Sequence, residues 1–159
     1  MSLRPKKFSS IGRTIDPTKL YKTNIRKIDT IIVHCSDSPH RGDDAHTIDK
    51  WHIERWGKHS GLAYHFVITD DGTIQKGRWS DNAGGHAKGY NLHSIGVCFT
   101  GGYEYNDILD VQRDSLIKLL DGLVDVYNLE VSNVIGHNEV SSKDCPNLDM
   151  DKLREALSG

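Results

Sequence analysis

The sequence predicts an α/β fold, a central mixed β-sheet flanked by helices. Three observations carry this expectation. Short β-branched runs alternate with segments of helical periodicity along the chain. Two of the runs are joined by Asp70-Asp71-Gly72, a hairpin signal that puts an antiparallel pair beside otherwise crossover-linked strands. And 159 residues, 36% of them hydrophobic, suffice for one core but are too few for two comfortable ones.

The elements follow in order. Residues 28–35, Ile28 to Cys35, form a buried strand by composition. Thr47 is placed to cap a helix that runs to about Trp56, where Gly57 ends it. Residues 64–69 are the next strand, and the turn at 70–72 returns the chain through Thr73-Ile74-Gln75. Residues 80–93, rich in Gly, His and Asn, cannot pack a core of their own and read as a surface loop of the kind that carries function. Ser94 to Phe99 is a strand closed by Gly101-Gly102. Apolar residues at 116, 117, 120, 123, 124 and 127 lie on one helical face, and Asn128 is a suitable stop. Val134-Ile135-Gly136 is a short strand that delivers His137, and Leu148 to Leu157 fits a terminal helix.

Charge is unevenly spread. Residues 1–27 carry eight Lys/Arg (Arg4, Lys6, Lys7, Arg13, Lys19, Lys22, Arg26, Lys27) against one acid, Asp16. The remainder, 28–159, holds 12 basic and 21 acidic residues. The leader could seek an anionic partner such as nucleic acid, anionic lipid or wall polymer, or pack along its own acidic domain. The acidic body argues against broad nucleic-acid binding, and a monomer is expected. No run of 18 apolar residues occurs, so no membrane span is expected, and the start holds no apolar signal core. Cys35, Cys98 and Cys145 are odd in number and sparse, unlike a disulfide framework. Cys35 and Cys98, in apolar strand-like runs, are expected as buried free thiols.

The richest chemistry lies between Gly136 and Pro146, where His137, Lys143 and Cys145 fall within nine residues. Imidazole nitrogen and thiolate sulfur are ligands for a soft cation such as zinc. His34, at the end of an apolar run, can supply a third ligand and leave a fourth position for water. Each residue alone has a plainer reading, a core histidine with a satisfied hydrogen bond or a packed thiol. Nine histidines are present, and His40, His46, His59, His65, His86 and His93 compete. Strand alternation argues that His34 and Cys35 cannot serve one ion, and separates Tyr64 from His65. His52, mid-helix, reads as structural. A Ser-x-x-Lys nucleophile is missing, since Val140 stands three residues before Lys143, and there is no His-Glu-x-x-His helix.

Taken together, Ile32-Val33-His34-Cys35-Ser36, Ala63 through Ile68, Asp71-Gly72-Thr73-Ile74, His86-Ala87-Lys88-Gly89-Tyr90-Asn91, Ser94 through Cys98, Gly101-Gly102 and His137 through Pro146 resemble the zinc N-acetylmuramoyl-L-alanine amidases. These share a fold with the peptidoglycan recognition proteins, and the likeness is strongest to phage lysozymes that are chemically amidases. The resemblance covers roughly residues 28–158, which makes 1–27 a leader and 28–159 the catalytic domain. It implies one zinc ion on His34, His137 and Cys145, with Tyr64 and Lys143 as the catalytic groups that do not bind metal. It implies that His86, Ala87, Lys88 and Asn91 line the groove for the glycopeptide. The implied reaction is hydrolysis of the amide between N-acetylmuramic acid and L-alanine in bacterial peptidoglycan. The alternative is a recognition module that binds the wall without cutting it. Such relatives typically lack the thiolate ligand, which this chain has in Cys145. A structural zinc site would need a fourth ligand, and none is convincing. The segment 56–61 departs in order and length from the family's usual Gly-Trp element. An endolysin-like enzyme, cytoplasmic until released to the wall, is the implied location; a trimmed signal would make it secreted or periplasmic.

Overall fold

Five strands form one mixed sheet in the computed structural model, which describes residues 4–39, 42–57, 59–102 and 107–157. In chain order the main elements are β1 (Thr30–Cys35), α1 (Ala45–Trp56), β2 (Phe66–Ile68), β3 (Ile74–Lys76), β4 (Ser94–Phe99), α2 (Asp110–Val126), β5 (Val134–Gly136) and α3 (Met150–Ala156). Across the sheet the order is β3-β2-β4-β1-β5. Of the four strand pairings, β2–β3 is antiparallel, while β2–β4, β4–β1 and β1–β5 are parallel. The mixed α/β architecture expected from the hairpin and the alternating elements is therefore present.

Element ends shift for local reasons. Asp44, not Thr47, caps α1: its carboxylate accepts from the Thr47 backbone N–H at 2.9 Å and from the Thr47 hydroxyl at 3.0 Å. A carboxylate at the cap position satisfies an otherwise orphaned first-turn N–H. β2 is shorter than the run 64–69, so Tyr64 and His65 precede it. Asn128 ends α2 in the left-handed region, at φ 53°, which asparagine tolerates better than most residues.

Period-2 alternation gives the sheet two different faces. Ile31, Val33 and Cys35 of β1 join Ile95, Val97 and Phe99 of β4 in a large apolar cluster against Leu116, Leu119, Leu120 and Leu123 of α2 and Met150 and Leu153 of α3. The other face carries Val67 and Cys98 against Ala45 and Ile48 of α1, a far smaller cluster. His34 belongs to this second face, in register with Cys98.

The basic leader packs along its own domain. Lys76 N–H donates to the Arg13 carbonyl at 2.7 Å, and Ile15 N–H donates to the Ile74 carbonyl at 2.8 Å. The chain before β1 thus pairs with β3 and covers a sheet edge that would otherwise be open. Arg4 grips Asp49 of α1 through two hydrogen bonds of 2.8 and 2.9 Å, and Phe8 is buried. Residues 80–93 are also less free than a surface loop. Buried Arg78 donates to the carbonyls of Leu62, Ala83 and Ser60. Arg26, from the leader, donates to those of Ser80, Asn91 and Ser94. Cationic donors thus replace an apolar core beneath this loop, satisfying carbonyls that no strand or helix pairs.

Candidate active site

Sheet register brings the first two histidines together. Val33 of β1 pairs with Gly136 of β5, so His137, the next residue, emerges beside His34 with ring centroids 4.6 Å apart. The turn that carries His137 is locked from behind. Glu139 accepts from the Gly136 N–H at 2.8 Å and pairs with Arg154 of α3 at 2.7 Å, while Arg154 also donates to the Val134 carbonyl. Cys145 then comes in from the following loop. Its sulfur accepts from the Cys35 N–H at 3.2 Å and stands 3.7 Å from His34 Nδ1. Donor atoms of His34, His137 and Cys145 all lie within 4.8 Å of one another, a group able to hold a metal ion. His34 is buried, whereas His137 and Cys145 are half-buried, so the group opens to one side.

That side is a cavity of about 750 Å³, a size suited to a small ligand or a segment of polymer. Tyr64 and Lys143 both line it, as do His52 and Trp56 of α1. Burial, and then the neighbouring His86, His137 and Lys143, hold His34 well below the usual imidazole range. Burial and then Lys143 lower His137 as well. Both rings are therefore neutral near pH 7, the form that binds metal. Burial also pushes the Tyr64 phenol well above its ordinary value, with its hydroxyl against the Cys98 thiol, so Tyr64 is an O–H donor at neutral pH. The Cys35 thiol is raised by its contact with Cys145 and by burial, and it stays a packed thiol.

The sequence of the region 24–148 matches the N-acetylmuramoyl-L-alanine amidase family. Among curated proteins the chain is 39% identical over 134 residues to the endolysin of Escherichia phage T7, covering 80% of this chain and 85% of that one. The chain belongs to the N-acetylmuramoyl-L-alanine amidase family. It is also 30% identical over 101 residues to peptidoglycan-recognition protein SC1a of Drosophila melanogaster, covering 63% of this chain and 54% of that one. Among solved structures, the N-acetylmuramoyl-L-alanine amidase LysC from Clostridium intestinale superposes with a TM-score of 0.73 at 28% identity, over 84% of this chain and 87% of that one.

Within this amidase the residues singled out from sequence do not all converge. His34, His137, Cys145, Tyr64 and Lys143 meet at the cavity. Of the four expected along the groove, only His86 lines it, and it is buried beside His34. Ala87 is buried, Lys88 is exposed, and Asn91 turns its side-chain oxygen to the backbone N–H groups of His86 and Ala87 at 2.8 and 3.0 Å. Asn91 shapes the loop. Two of the competing histidines are engaged elsewhere: His65 bonds to Gly96 and Asn82, and His93 pairs with Asp29. His40 lies outside the described residues. His52 has the structural bond expected of it, accepting from the Ala63 N–H at 3.0 Å, yet it also lines the cavity. The one available signal for that was its place near the C-terminal end of α1, where α1 borders the site.

Proposed function

We infer that this protein hydrolyses the amide bond between N-acetylmuramic acid and L-alanine in bacterial peptidoglycan, using one zinc ion held by His34, His137 and Cys145. The observation that carries this reading is the meeting of two neutral imidazoles and a free thiol within 4.8 Å, at the wall of a cavity that also receives Lys143. The donor set suits zinc: nitrogen and sulfur ligands, three in number, with an open side. The Cys35 N–H donates to the Cys145 sulfur at 3.2 Å and holds it beside His34. When bound, zinc supplies Lewis acidity, lowering the pKa of water and polarising a carbonyl.

The side chains account for the rest of the chemistry. The Lys143 ammonium, at the cavity wall, faces the negative charge that grows on the lactyl carbonyl oxygen during attack. One such donor is worth about 3 kcal/mol. Tyr64, held protonated, can orient the carbonyl or pass its proton toward the departing amine. Glu139 is engaged by Arg154 and the Gly136 N–H and does not line the cavity. The reaction site is the bacterial wall, and an endolysin released to it at lysis is the reading that the phage relatives favour. No described helix is long and apolar enough to cross a membrane.

Product analysis on purified peptidoglycan tests the reaction. Free L-alanine amino termini should accumulate, activity should vanish with chelator, and added zinc should restore it. Binding of walls without new amino termini would instead establish the recognition-module alternative that the Drosophila relative keeps in view.

A further inference from the structure

We propose that His86 is a positioning residue, which fixes His34 in the one tautomer that can bind metal through Nδ1. The proposal rests on the zinc reading above, but its evidence is separate from the ligand set. His34 uses its two ring nitrogens for different partners. Nδ1 faces the Cys145 sulfur at 3.7 Å, on the side of the donor cluster. Nε2 faces His86 Nδ1 at 2.8 Å, in the interior. A contact that short between two neutral imidazoles holds one proton. If Nδ1 of His34 is to offer its lone pair to a metal, the proton must sit on Nε2 and be donated to His86 Nδ1. His86 then carries its own proton on Nε2, which lies 3.2 Å from the Ser94 hydroxyl. The chain His34–His86–Ser94 is therefore directional, and it ends on the first residue of β4.

The His86 ring is built into place. It lies against Gly96, where an added Cβ would stand 2.6 Å from its Cδ2, and against Gly84, where a Cβ would also collide with the ring. Two glycines thus clear a slot that the imidazole fills. Asn91 holds the backbone of His86 and Ala87 from the other side. With both ring nitrogens engaged and the residue 7% exposed, His86 is better suited to orient His34 than to grip substrate. Partners behind a metal-ligating histidine commonly govern metal affinity by 10- to 100-fold, through ring orientation and tautomer.

The test uses the full chain and compares two substitutions. His86→Asn keeps an acceptor close to the position of Nδ1, whereas His86→Phe keeps an aromatic ring, somewhat larger than imidazole, and removes the acceptor. Zinc affinity is read by competition with a chromophoric chelator, and folding by thermal unfolding of the zinc-free proteins. His86→Phe should weaken zinc about 10- to 100-fold and His86→Asn only a few-fold. A folded Phe variant with wild-type zinc affinity, or an Asn variant as weak as the Phe variant, overturns the proposal. Because the Phe variant could fail to fold, the zinc-free wild-type protein labelled with ¹⁵N-histidine supplies a second arm. Long-range ¹H–¹⁵N spectra should show His34 protonated on Nε2 before any metal is added, and protonation on Nδ1 refutes the preset tautomer. A wild-type chain that takes up no zinc would defeat the metal reading, while the tautomer would still judge the His34–His86 pair.

Discussion

The two faces of the sheet are made by the same strands and obey different rules. Toward α2 and α3, β1 and β4 present Ile31, Val33, Ile95, Val97 and Phe99, all buried in one apolar cluster. Toward α1, the same strands present Ile32, His34, Gly96 and Cys98, overlaid by Tyr64, His86 and His137 rather than by a second full apolar layer. The first face stabilises by removing apolar surface from water, a non-directional effect. The second holds polar groups by paired hydrogen bonds, each of which would be costly to leave unmade. A fold of this size can carry a polar catalytic face because the opposite face supplies most of the hydrophobic stabilisation.

That contrast can be broken from either side. The largest effect is expected from Cys145→Ser, which removes one of the three proposed metal ligands from the polar face. Losing the metal forfeits several kcal/mol of transition-state stabilisation, a rate loss on the order of 10³-fold or more. Elemental analysis after dialysis should find little zinc; full zinc stoichiometry in the variant would remove Cys145 from the ligand set. Next comes Lys143→Ala, expected to lower kcat by about 10²- to 10³-fold with zinc retained. Should this variant lose its metal, Lys143 has a structural role.

The apolar face is probed by Leu120→Ala, which leaves a cavity under the sheet. Urea unfolding should show a loss of about 2–5 kcal/mol, while zinc affinity of the folded protein stays within a factor of two. A parallel fall in affinity would mean that the faces are coupled through the strands. The smallest effect is a pH dependence lodged in α1. Burial, then Arg78, lowers the His52 pKa from 6.5 to about 4. Between those values the unfolded chain binds the extra proton, so His52 contributes stability in full above pH 6.5 that is lost as pH falls toward 4. The slope is at most about 1.4 kcal/mol per pH unit. Comparing zinc-free wild type with His52→Gln at pH 7 and 4.5 isolates it, and identical slopes would rule His52 out as the source.

Much of this was legible in one dimension. Strand β4 and strand β5 begin and end where their β-branched runs do, and the hairpin at Asp70-Asp71-Gly72 forms the turn its residues call for. Cys35 and Cys98 are buried free thiols, as apolar strand residues of their type usually are. What misled was local. Asp44 and Thr47 are both good capping residues three apart, and composition does not say which accepts and which donates. The leader packs along its own domain, one of the two readings its charge allowed, whereas the loop 80–93 looked unpacked because its polar composition suggests water. In the fold that loop's backbone carbonyls at Ser80, Ala83 and Asn91 accept from Arg26 and Arg78, which lie outside it.

By itself the amino-acid sequence determined the sheet-and-helix order, the family and the residues capable of holding a metal. Periodicity and side-chain chemistry are local properties, and motif blocks keep their order along a chain. Only the tertiary structure decided which of nine histidines meet. The parallel pairing of Val33 with Gly136 sets His137 beside His34, and the long crossovers that permit parallel strands leave no trace of that register in the sequence. The tertiary structure likewise set His86, at the cavity wall, directly behind His34, because the space for its ring is made by Gly84 of its own loop and Gly96 of β4.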